Sequence, residues 1–125
     1  MAKKYSYNQQ MNIKYDHSEL IDVPEIVKNC TDKWFNQTLT KVNSSVVRLG
    51  ILHGEYHWHK HEKDDELFFV LEGKLFVDTE NETFELNQYQ GVTIGKNEMH
   101  RTRCPEKTVI LMVETAEIDP IGEEE

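Results

Sequence analysis

The chain has 125 residues, 14 of them basic and 23 acidic for a net charge of −9, and is 38% hydrophobic with 10% aromatic side chains. That length supports one modest core rather than two, and that hydrophobic share belongs to a folding chain rather than a disordered one. The acidity excludes a basic face for nucleic-acid backbones or a polybasic membrane patch, and no apolar run approaches the roughly 20 residues of a membrane-spanning helix.

The first stretch, "MAKKYSYNQQ", has lysines but no apolar block behind them, unlike a secretory leader. A cytoplasmic location is therefore expected. Cys30 and Cys104 are far apart and form no CxxC pair, so both are expected to be free thiols. Residues 1 to about 15 are polar without a period and read as an extended arm or loosely held terminus. "DVPEIVKNC" predicts a short helix with Asp22 or Val23 at its cap, Pro24 in its first turn and an apolar face of Val23, Ile26 and Val27. Residues 1–33 are thus expected to form an N-terminal arm and helix.

From Trp34 the texture changes to short β-branched and aromatic runs broken by turns every 6 to 12 residues, an all-β signature. The runs that predict strands are "WFNQTLTKV", "SSVVRLGILHG", "EYHWHKH", "ELFFVLEG", "KLFVDTE", "TFELNQ", "GVTIG", "MHRTRC" and "TVILMVE". A hairpin turn is expected around Glu80, Asn81 and Glu82, and a bend or bulge at Gly73. Nine short strands predict a sandwich or small barrel, because a flat sheet that wide would leave its edges and one face open. This domain is expected over residues 34–115, with an acidic tail at 116–125.

Four of the six histidines fall within "HGEYHWHKHEKDDELF", residues 53–68. In an extended chain His57, His59 and His61 point to one side, and Trp58 and Lys60 to the other. Glu66 follows across the polar bend "EKDD" and would return alongside them on the next strand. Two histidines and a carboxylate on a rigid sheet form a facial set of metal ligands, with His100 as a fourth candidate. Such donors suit Fe, Mn, Ni, Zn or Co rather than Ca or Mg, and the lack of nearby cysteine disfavours a structural zinc site. A solvated surface cluster with no role is the competing reading. His17 and His53 read as surface residues.

The same residues resemble the first motif of the cupin superfamily, G-x5-H-x-H-x3,4-E-x6-G. His59, His61, Glu66 and Gly73 fit it, while Gly54 stands one position closer to His59 than the pattern asks. The second motif, G-x5-P-x-G-x2-H-x3-N, is met at His100. Gly95 replaces its proline, Asn97 its second glycine and Cys104 its asparagine, and Tyr89 stands where its leading glycine belongs. The resemblance covers about residues 34–115 and implies a cupin jelly-roll barrel preceded by the short helix. It implies that His59, His61, Glu66 and His100 hold one divalent transition metal inside the barrel.

Single-domain cupins commonly pair, so a homodimer is expected. The doubly apolar strand "LFFVLEG" is compatible with that, as Leu67, Phe69 and Leu71 oppose Glu66, Phe68 and Val70, although burial inside one sandwich explains it equally. His57 is a candidate catalytic base, with Glu98 and Tyr89 as weaker ones, and Arg101 or Arg103 could meet an anionic substrate. Inward candidates by alternation are Phe68, Val70, Phe76 and Met112. The expected function is a metal-dependent enzyme on a small polar molecule, resembling sugar isomerases of the mannose-6-phosphate type, or lyases. An iron-dependent dioxygenase and a non-catalytic small-ligand sensor are the alternatives. No nucleic-acid or membrane partner is expected.

Overall fold

Beyond residue 33 strands carry the fold. The computed structural model describes residues 7–117. Its elements are β1 (Asn8–Gln10), α1 (Val23–Asn29), β2 (Trp34–Val42), β3 (Ser45–Glu55), β4 (Glu66–Glu72), β5 (Leu75–Thr79), β6 (Thr83–Leu86), β7 (Gly91–Ile94) and β8 (His100–Thr115). The all-β jelly-roll with one short N-terminal helix is thus the architecture. Most of the acidic tail lies outside the described residues.

The strands run in the order β1-β2-β3-β8-β4-β7, with β5 pairing to both β6 and β8. The pivot is β8. Its first residues pair with β5, from Thr79↔His100 to Phe76↔Arg103, while its later residues run between β3 and β4. One strand therefore serves both layers and folds the sheet onto itself.

Two separate strands, "MHRTRC" and "TVILMVE", were expected where β8 is continuous. They are joined through an exposed bulge at Pro105, Glu106 and Lys107, where the step from Leu52 to Gly54 on β3 faces the longer step from Cys104 to Thr108. A proline lacks the N–H a ladder needs, so a bulge is where a strand tolerates one.

Two apolar clusters follow from the alternation. Inside the barrel, Trp34, Leu52, Tyr56, Phe68, Val70, Leu75, Val77, Ile110 and Met112 pack together. On the outer face Leu39, Leu49, Ile51 and Val109 are covered by Val23, Ile26 and Val27 of α1, the face the sequence predicts. The helix starts at Asp22, whose Oδ1 accepts from the Glu25 N–H at 3.2 Å. Phe76 departs from expectation. Its neighbours Leu75 and Val77 are the buried residues, and Phe76 lies on the outside beneath the Arg103 guanidinium, 4.5 Å from the ring centroid.

The N-terminal arm is more ordered than its composition suggests. β1 pairs in parallel with β2, and the Lys14 and Tyr15 N–H groups donate to the Thr38 and Leu39 carbonyls. Both cysteines are free, and burial pushes the Cys104 thiol up to about 12.

Gly73 ends β4 at φ +93°, and a Cβ there would stand 2.7 Å from Thr108 Oγ1 and 2.9 Å from the Lys107 carbonyl oxygen. Gly73→Ala is expected to cost more than about 1 kcal/mol in urea unfolding. Gly95→Ala, where a Cβ meets nothing within 4 Å, should change stability much less.

Candidate metal centre

The segment "EYHWHKH" was expected to be a strand. It is instead a nearly unpaired crossing from the end of β3 over the start of β8. Tyr56 donates its N–H to the Thr102 carbonyl, the isolated bridge His59↔His100 ties the middle of the segment, and the His61 carbonyl accepts from the Asn97 N–H at 2.7 Å. The bridge places His59 beside His100, with ring centroids 4.4 Å apart, and His61 lies 5.1 Å from His59. Glu66 opens β4 and points inward with Phe68 and Val70.

One ligand atom from each of His59, His61, Glu66 and His100 falls within 4.8 Å of the others, and all four residues are buried. Glu66 Oε1 stands 3.4 Å from His61 Nε2 and 3.4 Å from His100 Nε2. Donors bound at about 2.1 Å in a tetrahedral set stand about 3.4 Å apart, so this spacing fits one ion. Glu66 Oε1, His61 Nε2 and His100 Nε2 are buried with no hydrogen-bond partner among the described residues. Each orphan of this kind costs about 1–3 kcal/mol, a cost that a shared cation would offset.

The backbone sets the imidazole tautomers. His59 Nδ1 lies 3.0 Å from the His57 carbonyl oxygen, and His100 Nδ1 lies 2.8 Å from that of Glu98. A carbonyl oxygen only accepts, so each Nδ1 carries the hydrogen and each Nε2 keeps its lone pair for the centre. Burial, reinforced by nearby His100, lowers the His59 pKa to about 3 and keeps the ring neutral.

Behind Glu66 lies a second buried carboxyl, Glu114, paired at 3.5 Å with the buried guanidinium of Arg48. Burial first, and then the charge of Glu66, pushes Glu114 up to about 10 despite Arg48. Burial opposes ionisation of Glu66 as well, but its polar neighbours, the Glu114 carboxyl among them, outweigh it and hold that carboxyl below its ordinary range. Of the two neighbours, Glu66 is the anion and Glu114 keeps the proton.

A cavity adjoins the centre. Its volume is ≈ 20 Å³. Its lining combines Trp34, Leu52, Tyr56, Phe68, Ile110 and Met112 with the polar groups Asn36, His59, Glu66 and Thr102.

The other candidates separate. His57 stands beside the centre, 5.1 Å ring to ring from His59, but packs on Tyr56 and Tyr7 and does not line the cavity. Tyr89 is 70% exposed in the turn before β7 and lines no part of the cavity. Glu98 is exposed and contributes through its backbone carbonyl. Arg101 and Arg103 both bond Asp78, at 2.9 and 2.7 Å, and the Asp78 carboxyl is held well below its usual range, chiefly by Arg103. His17 and His53 are exposed.

Sequence reasoning did not single out Asn36, Arg48 and Glu114. The available signal was a polar side chain at an inward parity position within an otherwise apolar strand.

Comparison with known proteins agrees with this fold. Residues 48–114 match the Cupin_2 family, a cupin domain. The chain is 38% identical over 109 residues to the uncharacterized protein YdbB of Bacillus subtilis, covering 86% of this chain and 96% of that one. The crystal structure of a cupin-2 domain-containing protein from Shewanella frigidimarina superposes with a TM-score of 0.73 at 24% identity, covering 77% of this chain and 94% of that one. Protein NMB1881 from Neisseria meningitidis does so with a TM-score of 0.70 at 21% identity, covering 78% and 99% respectively.

Adding Zn, Mn, Ni, Co or Fe ions to metal-stripped protein should raise its unfolding free energy, by about 2.7 kcal/mol at a hundredfold excess over Kd. His100→Ala should abolish that gain in a calorimetric or denaturant titration.

Proposed function

The chain belongs to the Cupin_2 domain family, and from that premise we propose that it is a metal-dependent enzyme acting on a small polar molecule. His59, His61, Glu66 and His100 would hold one divalent transition metal, which supplies a Lewis acid for a substrate oxygen when bound. The observation that carries this reading is the convergence of three orphaned buried donor atoms on one point beside a cavity.

The reaction class we assign is proton transfer next to a carbonyl, as in a sugar-isomerase-like or lyase-like reaction. His57 is the base of that reading, because its ring stands at the edge of the centre, 5.1 Å from that of His59. Tyr7 Oη lies 3.4 Å from its Nδ1 and would fix the orientation of the ring. Apolar walls would keep bulk water from the exchanging proton. The homodimer belongs to the same proposal, with half-buried Leu67, Phe69 and Val113 on the outer face of β4 and β8 as its contact.

The test is proton NMR in D2O of metal-loaded protein mixed with the smallest aldoses and ketoses, glycolaldehyde, glyceraldehyde and dihydroxyacetone. Loss of the C–H signal next to the carbonyl is expected, slowed at least about 100-fold in His57→Gln with metal content unchanged. Oxygen uptake in its place would move the assignment to an iron-dependent dioxygenase, and binding without any turnover would make the protein a sensor.

A further inference from the structure

Of the cavity's polar lining outside the metal set, Asn36 and Thr102, only Asn36 carries a buried side-chain atom left without a partner among the described residues. Asn36 lines the cavity from β2, is 5% exposed, and its Oδ1 is the atom without a hydrogen-bond partner. Asparagine at this point is not a packing choice, since an apolar residue would serve an all-apolar wall without leaving a polar atom unsatisfied.

Its neighbourhood shows why the amide reaches inward. Asn36 faces Gly50 in the register of β2 and β3. A Cβ on Gly50 would stand 3.3 Å from Asn36 Oδ1, 3.0 Å from Ile110 Cγ1 and 3.2 Å from Met112 Cε. The glycine thus lets the Asn36 amide oxygen and the Ile110 and Met112 side chains close on the β3 backbone, where any side chain at position 50 would push them away. No described residue donates a hydrogen bond to the amide oxygen.

The charges set the other end of a ligand. Glu66 is the one carboxylate among the four candidate ligands, so a divalent ion held by them keeps a net positive charge. An anionic oxygen, such as a carboxylate, is the natural partner for that charge in an apolar cavity. Asn36 calls for a group that donates a hydrogen bond. A hydroxyl answers either end of the amide, because it both donates and accepts. A cavity of ≈ 20 Å³ calls for a short ligand.

We propose that Asn36 is a specificity-determining residue that selects short hydroxylated carboxylates over their deoxy analogues. The proposal rests on the reading of His59, His61, Glu66 and His100 as a metal centre that binds a small molecule. It adds to that reading the class of ligand and the residue that reads it.

The test uses cobalt-loaded protein, whose visible spectrum reports ligand binding at the ion. Acetate, propionate and butyrate are titrated against glycolate, 3-hydroxypropionate and 4-hydroxybutyrate, a series that lets the spacing between ion and amide select the chain length. At one chain length or more, the hydroxy acid should bind at least about tenfold more tightly than its deoxy partner. In Asn36→Leu that ratio should fall to about one while cobalt stoichiometry is kept, and Asn36→Ala serves the same comparison should the leucine variant fail to fold.

Equal binding of each pair by the wild-type protein would overturn the assignment of Asn36. So would a hydroxyl preference that survives in both variants, since it would come from chelation at cobalt. If the protein takes up cobalt but no acid perturbs its spectrum, the small-molecule reading of the metal centre fails, and the role of Asn36 fails with it.

Discussion

A carboxylate oxygen with no hydrogen-bond partner, sealed inside a barrel and faced by two imidazole nitrogens at 3.4 Å, is the interaction around which this protein is arranged. Glu66 is there as an anion at the expense of its hydration, and little in the apolar wall compensates for that. The rest of the centre answers this one constraint. Backbone carbonyls turn the His59 and His100 rings so that their lone pairs face inward, and Glu114 holds a proton so that a second negative charge does not build up beside the first. Four donors that would repel or waste one another without a cation become mutually supportive with one.

The scaffold meets the constraint with one long strand. β8 places His100 at its start, Thr102 and Ile110 along the cavity, Met112 beside them and Glu114 behind Glu66. Because β8 pairs with β5 at one end and with β3 and β4 at the other, its inward side chains are fixed from both layers of the jelly roll. The histidine segment needs no ladder of its own. The bridge at His59↔His100, the Tyr56 N–H on Thr102 and the His61 carbonyl held by the Asn97 N–H set its height, and the aromatic contacts of Tyr56 with Trp34, His57 and His59 hold its side.

Much of this was legible in the residues, for identifiable reasons. The spacing of His59, His61 and Glu66 survives because parity holds in any extended segment, so the rings converge although the predicted strand is absent. The second motif was legible despite its substitutions. Tyr89 and Asn97 stand at the two positions where the family pattern has glycine, and both adopt positive φ, 68° and 67°. The backbone kept the conformation while the sequence changed the residue, which is within reach of asparagine and costs a tyrosine more.

What the sequence hid depends on register and on long-range pairing. The fusion of two strands through Pro105 was not visible, because a proline in a run reads as a break when the bulge that accommodates it cannot be seen. Phe76 was placed inward when it lies outside, since Lys74 and Leu75 leave the phase of β5 open. Asn36, Arg48 and Glu114 gain meaning only once β2, β3 and β8 are neighbours and their inward sides meet. The most direct check of the central claim is X-ray absorption at the metal edge of protein purified without added metal, which should show one ion with nitrogen and oxygen neighbours at about 2.0–2.2 Å. A sulfur shell at about 2.3 Å, or an ion that stays bound with the same spectrum in Glu66→Ala, would contradict it.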